Sequence, residues 1–130
     1  VYRSQVDVLL PGLGVAILNG EDELVVEMAE INPGAETIFY GLELSSPFVI
    51  EHIQKNGKSV QVKDNSILLM QGSQELERFD LQNSRYLKDQ QNTNRLLNLM
   101  AGVGAAWASH LPMSTIEVGV NSFAQEEMEA

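Results

Sequence analysis

Short runs of branched apolar residues alternate with turn formers along the first 41 residues. Val6-Asp7-Val8-Leu9-Leu10 alternates weakly and predicts a strand, which Pro11-Gly12-Leu13-Gly14 breaks. Val15-Ala16-Ile17-Leu18 is apolar without alternation, the pattern of a strand covered on both faces of an α/β sheet. Asn19 then predicts a helix cap, with Asp22 three positions on as a variant of the capping box. Glu21, Asp22 and Glu23 place negative charge where unpaired N–H groups of a first turn point. Leu24, Met28 and Ile31 recur at i, i+4 and i+7, with Val25 and Ala29 beside them, predicting one broad apolar face. Asn32-Pro33-Gly34 ends that helix, and Thr37 to Gly41 returns to strand character. Residues 15–41 thus read strand, helix, strand, the spacing of a right-handed crossover.

The middle changes texture. Phe48 to Gln54 reads as β-rich, and Asn56-Gly57 is the strongest hairpin signal in the chain. Ser59 to Lys63 alternates, with Val60 and Val62 on one face; Asp64-Asn65 is a second turn candidate. Ile67 to Met70 predicts another strand, and Phe79 and Leu81 a fourth. These segments predict a small antiparallel meander attached to the α/β unit. Residues 82–95 are polar and read as a connection. The helical period returns from Arg95 to His110, with Leu96, Met100, Val103 and Trp107 on one side. The small residues Ala101, Gly102, Gly104, Ala105 and Ala108 suit close approach of its backbone to a sheet. Ser114-Thr115-Ile116-Glu117 predicts a capping box opening a helix with Ile116, Val120 and Phe123 buried. The fold class is therefore α/β, a partial sheet covered by helices with a β meander inserted. One domain spans 1–125: an α/β unit at 6–41, the meander at 47–81 and a helical pair at 95–125. An acidic tail, 126–130, follows and reads as solvated and frayed.

Composition narrows the partners. Eight basic residues stand against 18 acidic ones, a formal net charge of −10. Phosphate backbones and anionic membrane surfaces attract basic proteins, so neither nucleic acid nor membrane is expected as a partner. No cysteine is present, which removes disulfides, thiolate nucleophiles and thiolate metal sites. No apolar run approaches a membrane span, and Val1 to Gln5 has neither the form of a signal peptide nor an initiator methionine. The chain accordingly reads either as a processed product or as a piece cut from something longer, with a cytoplasmic location expected.

Chemistry-bearing motifs are sparse. His52 and His110 have no acidic neighbours at ligand spacing; His52 reads as a surface strand residue and His110 as favouring the negative end of its helix. No G-x-S-x-G elbow and no G-x-x-x-x-G-K-[ST] loop occurs. Gly12-Leu13-Gly14 lacks the third glycine of a dinucleotide turn. Lys58, after Asn56-Gly57, is the one lysine beside a glycine turn that could cradle phosphates. Catalytic and metal-binding residues are therefore not expected. Two binding candidates remain. Asn19 and Asp22 lie at the C-terminal end of an expected buried strand, where α/β proteins hold ligands; the same residues equally suit a plain helix cap. Asn98, between Leu97 and Leu99, is either a site residue or an exposed helix position.

The segments Val6–Pro11 and Ala16-Ile17-Leu18-Asn19-Gly20-Glu21-Asp22-Glu23-Leu24-Val25 resemble the second half of the central domain of Mur-type ligases, whose pattern there is V-L-N-A-D-D-P. Within that family the likeness is greatest to the ligase-like half of cyanophycin synthetases. Asn19 and Asp22 match; Gly20, Glu21 and Glu23 depart from the pattern. The stretch Asn56 to Leu69 resembles the family's G-G-x-A-V-x-V-x-D-G-x-I-V-L run. Leu97-Asn98-Leu99 to Trp107-Ala108 resembles E-N-x-L-A-A-x-A-A-A-W-A, with Pro112, Ile116, Gly119, Val120 and Phe123 at matching steps. Leu97 replaces the family glutamate, and residues 82–94 lack its T-H-G-G run.

The resemblance implies a parent that phosphorylates a carboxylate with ATP and Mg²⁺ and lets an amine attack the acyl phosphate, forming an amide. It implies that Asn98 faces the adenine and that the Asn19 turn, with Asp22, lies near the nucleotide end of the sheet. The phosphate loop and the magnesium-binding acids would belong to a preceding half-domain. The partner is then the remainder of the parent ligase, with self-pairing through an exposed sheet edge also expected. The isolated chain would be inactive and would bind no nucleotide tightly. Two other classes compete: a noncatalytic, decayed homologue acting as an interaction or scaffolding module, and a small domain binding an unrelated metabolite in an apolar pocket of its own.

Overall fold

Strand residues alternate between two faces, and here helices pack on both. The computed structural model describes residues 8–10, 14–31, 36–81 and 90–129. Its strands are β1 (Val8–Leu10), β2 (Val15–Asn19), β3 (Glu36–Tyr40), β4 (Lys58–Lys63), β5 (Ser66–Gln71) and β6 (Gln74–Asp80). Its helices are α1 (Glu23–Ile31), α2 (Pro47–Gln54), α3 (Gln90–Ala108) and α4 (Met113–Glu129). The strands form one open sheet in sequential order. β2, β3 and β4 run parallel; β1 pairs antiparallel with β2, and β4, β5 and β6 are antiparallel. The result is a mixed α/β fold with a partial, unclosed sheet. The meander is no separate insertion, because β4 pairs with β3 through Ile38↔Lys58 to Tyr40↔Val60 and continues the sheet.

Side-chain parity divides the core. Val15, Ile17, Ile38, Tyr40, Val60, Ile67, Leu69 and Phe79 meet Leu96, Met100, Val103 and Trp107 of α3, with Ile116 and Val120 of α4. Ile17, Tyr40, Val60, Ile67, Leu69, Leu96 and Met100 are fully enclosed, and each such side chain contributes about 1.5–3 kcal/mol by leaving water. On the opposite face Phe39 packs with Val26 of α1 and Val49 of α2. The α3 face predicted from its 3.6-residue period is the buried one. The helix itself begins at Gln90 rather than Arg95.

Several expectations are corrected. Residues 48–54, read as β-rich, belong to α2. Ser46 has extended dihedrals, Pro47 opens the helix, and the Ile50 N–H donates to the Ser46 carbonyl at 2.9 Å. Val49 and Ile53, one turn apart, turn toward the sheet. Asn56-Gly57 is consequently no hairpin. Asn56 takes φ 69°, its N–H donates to Ile53 O at 3.0 Å, and the Gly57 N–H reaches His52 O at 2.8 Å. This pair of bonds closes α2 as a Schellman motif. The type I′ hairpin is instead Asp64-Asn65, both residues with positive φ between Lys63 and Ser66.

Of the apolar face predicted for α1, Val25 is buried and Ala29 packs inward beside Val26, whereas Leu24 and Met28 are 51% and 63% exposed. Asp22, rather than Asn19, caps this helix. Its Oδ1 accepts from the N–H groups of Leu24 (3.0 Å) and Val25 (3.4 Å). At α4 the Pro112 carbonyl accepts from Thr115 and Ile116, so Ser114 and Glu117 lie inside the first turn and form no capping box. α4 runs to Glu129, through most of the expected tail, and the Phe123 side chain lies outside the described ones.

α3 also ends in a Schellman motif: the His110 N–H bonds Trp107 O at 3.0 Å and the Leu111 N–H bonds Ala106 O at 3.1 Å. His110 occupies the left-handed position at φ 63° and is exposed. Left-handed backbone costs a side-chain-bearing residue about 1–2 kcal/mol, part of which glycine returns as greater unfolded-state entropy. His110→Gly is therefore expected to raise stability by about 0.5–1 kcal/mol. A higher urea midpoint with an unchanged slope is the result that checks it.

Candidate functional site

Parallel strands deliver loops to one end of a sheet, and β2 and β3 deliver theirs beside each other. Asn19 ends β2 opposite Tyr40 of β3. The chain then turns tightly: the Gly20 N–H donates to Tyr40 O at 2.8 Å, and the Asp22 N–H to Asn19 O at 3.3 Å. Gly20 is buried, and a Cβ there would lie 2.6 Å from Leu44 Cδ2. The half-buried Asn19 accepts the Glu21 N–H on its Oδ1 at 2.9 Å, while Asp22 caps α1. The structure brings Asn19 and Asp22 into one turn, with these side-chain oxygens bonded to the turn's own backbone.

Asn98 comes from another element. The direction of α3 follows from three contacts. Gly104 lies over Ile17 and Trp107 beneath the Lys58 ammonium, 5.1 Å from the ring centroid. Ala108 and His110 border a cleft of about 100 Å³ with Val15, Glu36 and Lys58, the first residues of three strands. α3 therefore runs opposite to β2 and β3. Asn98, earlier in the helix, lies toward the end of the sheet where Asn19 sits. It is exposed, and Asn19 shares the strand parity of Val15 and Ile17, the face that α3 covers.

Glu21 plays a part that the sequence reading did not find. Its carboxylate spans to the connection after β3, accepting the N–H groups of Leu42 (3.2 Å) and Glu43 (3.0 Å). A Cβ on Gly41 would come within 3.0 Å of Glu21 Cγ, so Gly41 leaves room for this clamp. Its available signal was a glutamate after a glycine at a strand end. Gly20, Glu21, Glu23, Glu43, Ser45 and Ser46 border an acidic cleft of about 210 Å³ there. Among the described residues, no group of three His, Cys, Asp or Glu side chains is placed to hold a metal ion.

The opposite end of the sheet holds the larger cleft, about 340 Å³, bordered by Thr37, Phe39, Phe48, His52, Asn56 and Lys58 among others. His52, read as a surface strand residue, is a half-buried helix residue whose Nε2 lies 2.9 Å from Lys58 O. Lys58 points to the α3 side, over Trp107 and 3.8 Å from Glu36, far along the strands from the Asn19 turn. Two surface ion pairs shift titration: the Lys55 hydrogen bond holds Glu51 below the ordinary carboxylate range, and the Arg78 hydrogen bond does so for Glu75 while raising Arg78.

No protein-family model matches the chain. Cyanophycin synthetase of Geminocystis herdmanii is 24% identical to it over 110 residues. The matched stretch is 85% of this chain and 12% of the relative, so the chain spans a small part of that protein's length. The similarity to this member of the Mur-ligase superfamily is distant and partial. Among the described residues, no helix is long and apolar enough to cross a membrane.

Proposed function

We propose that the chain is the second half of the nucleotide-binding central domain of a cytoplasmic, ATP-dependent, amide-bond-forming ligase of the cyanophycin-synthetase kind. The observation that carries this reading is similarity running through 85% of the chain rather than through one motif. The parent would transfer the γ-phosphoryl group of ATP to a carboxylate, releasing ADP; an amine would then displace phosphate to form the amide. Its amino-acid substrate and carboxylate acceptor belong to the whole protein.

The residues present suit the base end of such a nucleotide and not its phosphates. Asn98 offers an exposed amide, a donor and an acceptor side by side, at the end of the sheet where ligands of parallel strands collect. The Asn19–Asp22 turn borders the same end and would define its floor. Phosphates need a loop of backbone N–H groups with a lysine, and Lys58 stands at the other end. ATP and Mg²⁺ would be held jointly with the rest of the parent, and this chain alone would supply orientation without turnover.

Titration of the labelled chain with Mg-ATP, followed by amide NMR, tests this. Weak binding is expected, of millimolar order, with shifts concentrated at Asn98 and Asn19 to Asp22 and lost in Asn98→Ala. Shifts confined to the Lys58 end, or none at those positions, would overturn the assignment. A chain that formed amide product unaided would overturn the division of labour. A second reading, an interaction module without catalysis, is favoured by the apolar stripe that α1 turns outward.

A further inference from the structure

The outer surface of α1 carries two parallel ridges. Leu24 and Met28, one turn apart, are 51% and 63% exposed although Val25 and Val26 already supply the helix with a buried face. Beside them, also one turn apart, stand Glu23 and Glu27, both exposed. Like charges at i, i+4 disfavour a helix. None of the ion pairs among the described residues includes either glutamate. Glu23 additionally borders the acidic cleft with Glu21 and Glu43, so the carboxylate ridge continues past the start of the helix.

We infer that this face of α1 is a docking surface for a basic amphipathic helix of a partner protein. Apolar side chains one turn apart on the partner would cover Leu24 and Met28, and lysines or arginines beside them would lie along Glu23 and Glu27. Burying exposed leucine and methionine supplies the affinity; the glutamates set orientation and reject acidic or neutral helices. A second copy of the chain does not suit the face. An antiparallel two-fold contact would set the acidic ridge against itself, and any two-fold contact would join chains that each carry a net charge of −10. The inference does not depend on the ligase reading, since α1 turns this face away from the sheet whatever the Asn19 turn binds.

The test uses the full chain and a synthetic helix of about 18 residues, built of leucine and lysine so that a leucine ridge lies beside a lysine ridge. A peptide of the same length with glutamate for lysine is the control. Calorimetry gives the affinity, and amide NMR locates the contact. Expected are shifts confined to α1 and its flanking turn, binding weakened about tenfold or more by Leu24→Ser/Met28→Ser, and a shallower salt dependence in Glu23→Gln/Glu27→Gln. These positions are exposed, so the variants keep the fold. Three results would overturn the inference: no binding at about 1 mM peptide, binding indifferent to Leu24→Ser/Met28→Ser, or shifts spread over the acidic surface. A dimer in sedimentation that Leu24→Ser/Met28→Ser dissociates would overturn it too, by assigning the face to a second copy.

Discussion

Gly57→Ala should destabilise the protein by about 2 kcal/mol, and the loss should depend on His52. A Cβ at residue 57 would lie 2.4 Å from His52 Nε2, 2.5 Å from Cε1 and 2.6 Å from Cδ2. It would meet the ring face rather than the end of a pliable chain. The ring has little freedom to yield. It stands edge-on to Phe39, with centroids 5.0 Å apart and planes at 89°, and its Nε2 is 2.9 Å from Lys58 O. Phe39 is itself fully enclosed between α1, α2 and the sheet. Relief would require lifting the ring off both partners or shifting the Schellman turn, in which the Gly57 N–H bonds His52 O. His52→Ala removes the obstacle and costs its own packing. In that background Gly57→Ala should be nearly neutral, so the double-mutant cycle should show a coupling of about 1–2 kcal/mol. Additive losses in urea unfolding would show that the ring is not the obstacle.

How far the sequence revealed this arrangement depended on whether one physical rule acted alone. The β2–α1–β3 unit, the β4–β5 hairpin and the inner face of α3 were legible, because a short apolar run, strand alternation or helical period coincides there with clean turn formers. α2 was not. Val49, Ile50 and Ile53 favour strands locally, and only Pro47 before them and the Asn56-Gly57 exit after them mark a helix. Tertiary packing on Phe39 decides the matter. α1 was recognised with Val25 and Ala29 rightly on its apolar face but with that face centred on Leu24 and Met28, since apolar residues ring most of it and periodicity cannot choose between two apolar faces. Packing of Val26 and Ala29 on Phe39 and Val49 makes that choice. At the site, the position of Asn19 at a strand end followed from the pattern. The Glu21 clamp did not, because its partners are the backbone N–H groups of residues 42 and 43, on another loop, and backbone donors leave no mark in a sequence.

The two glycines of α3 should answer substitution in opposite directions, though the sequence gives them one explanation. Gly104 is buried against the sheet, and a Cβ there would lie 2.9 Å from Ile17 Cγ2, 3.6 Å from Val60 Cγ2 and 3.9 Å from Ile38 Cγ2. Ile17 is fully enclosed and branched at Cβ, so it has no alternative rotamer into which to retreat. Gly104→Ala gains about 1 kcal/mol of helix propensity and loses a comparable or larger amount to overpacking, leaving a modest net loss. Gly104→Val adds two methyl groups to the same contact and should cost about 3 kcal/mol, a large share of a small domain's stability. Gly102 is exposed, with nothing within 4 Å of its would-be Cβ. Gly102→Ala should therefore stabilise by about 1 kcal/mol, the propensity difference alone. Urea midpoints measured side by side decide between this asymmetry and a generic preference for small residues. If Gly102→Ala also destabilised, or Gly104→Val were tolerated, α3 would not lie against Ile17. The placement of Asn98 at the Asn19 end of the sheet, which rests on that contact, would fall with it.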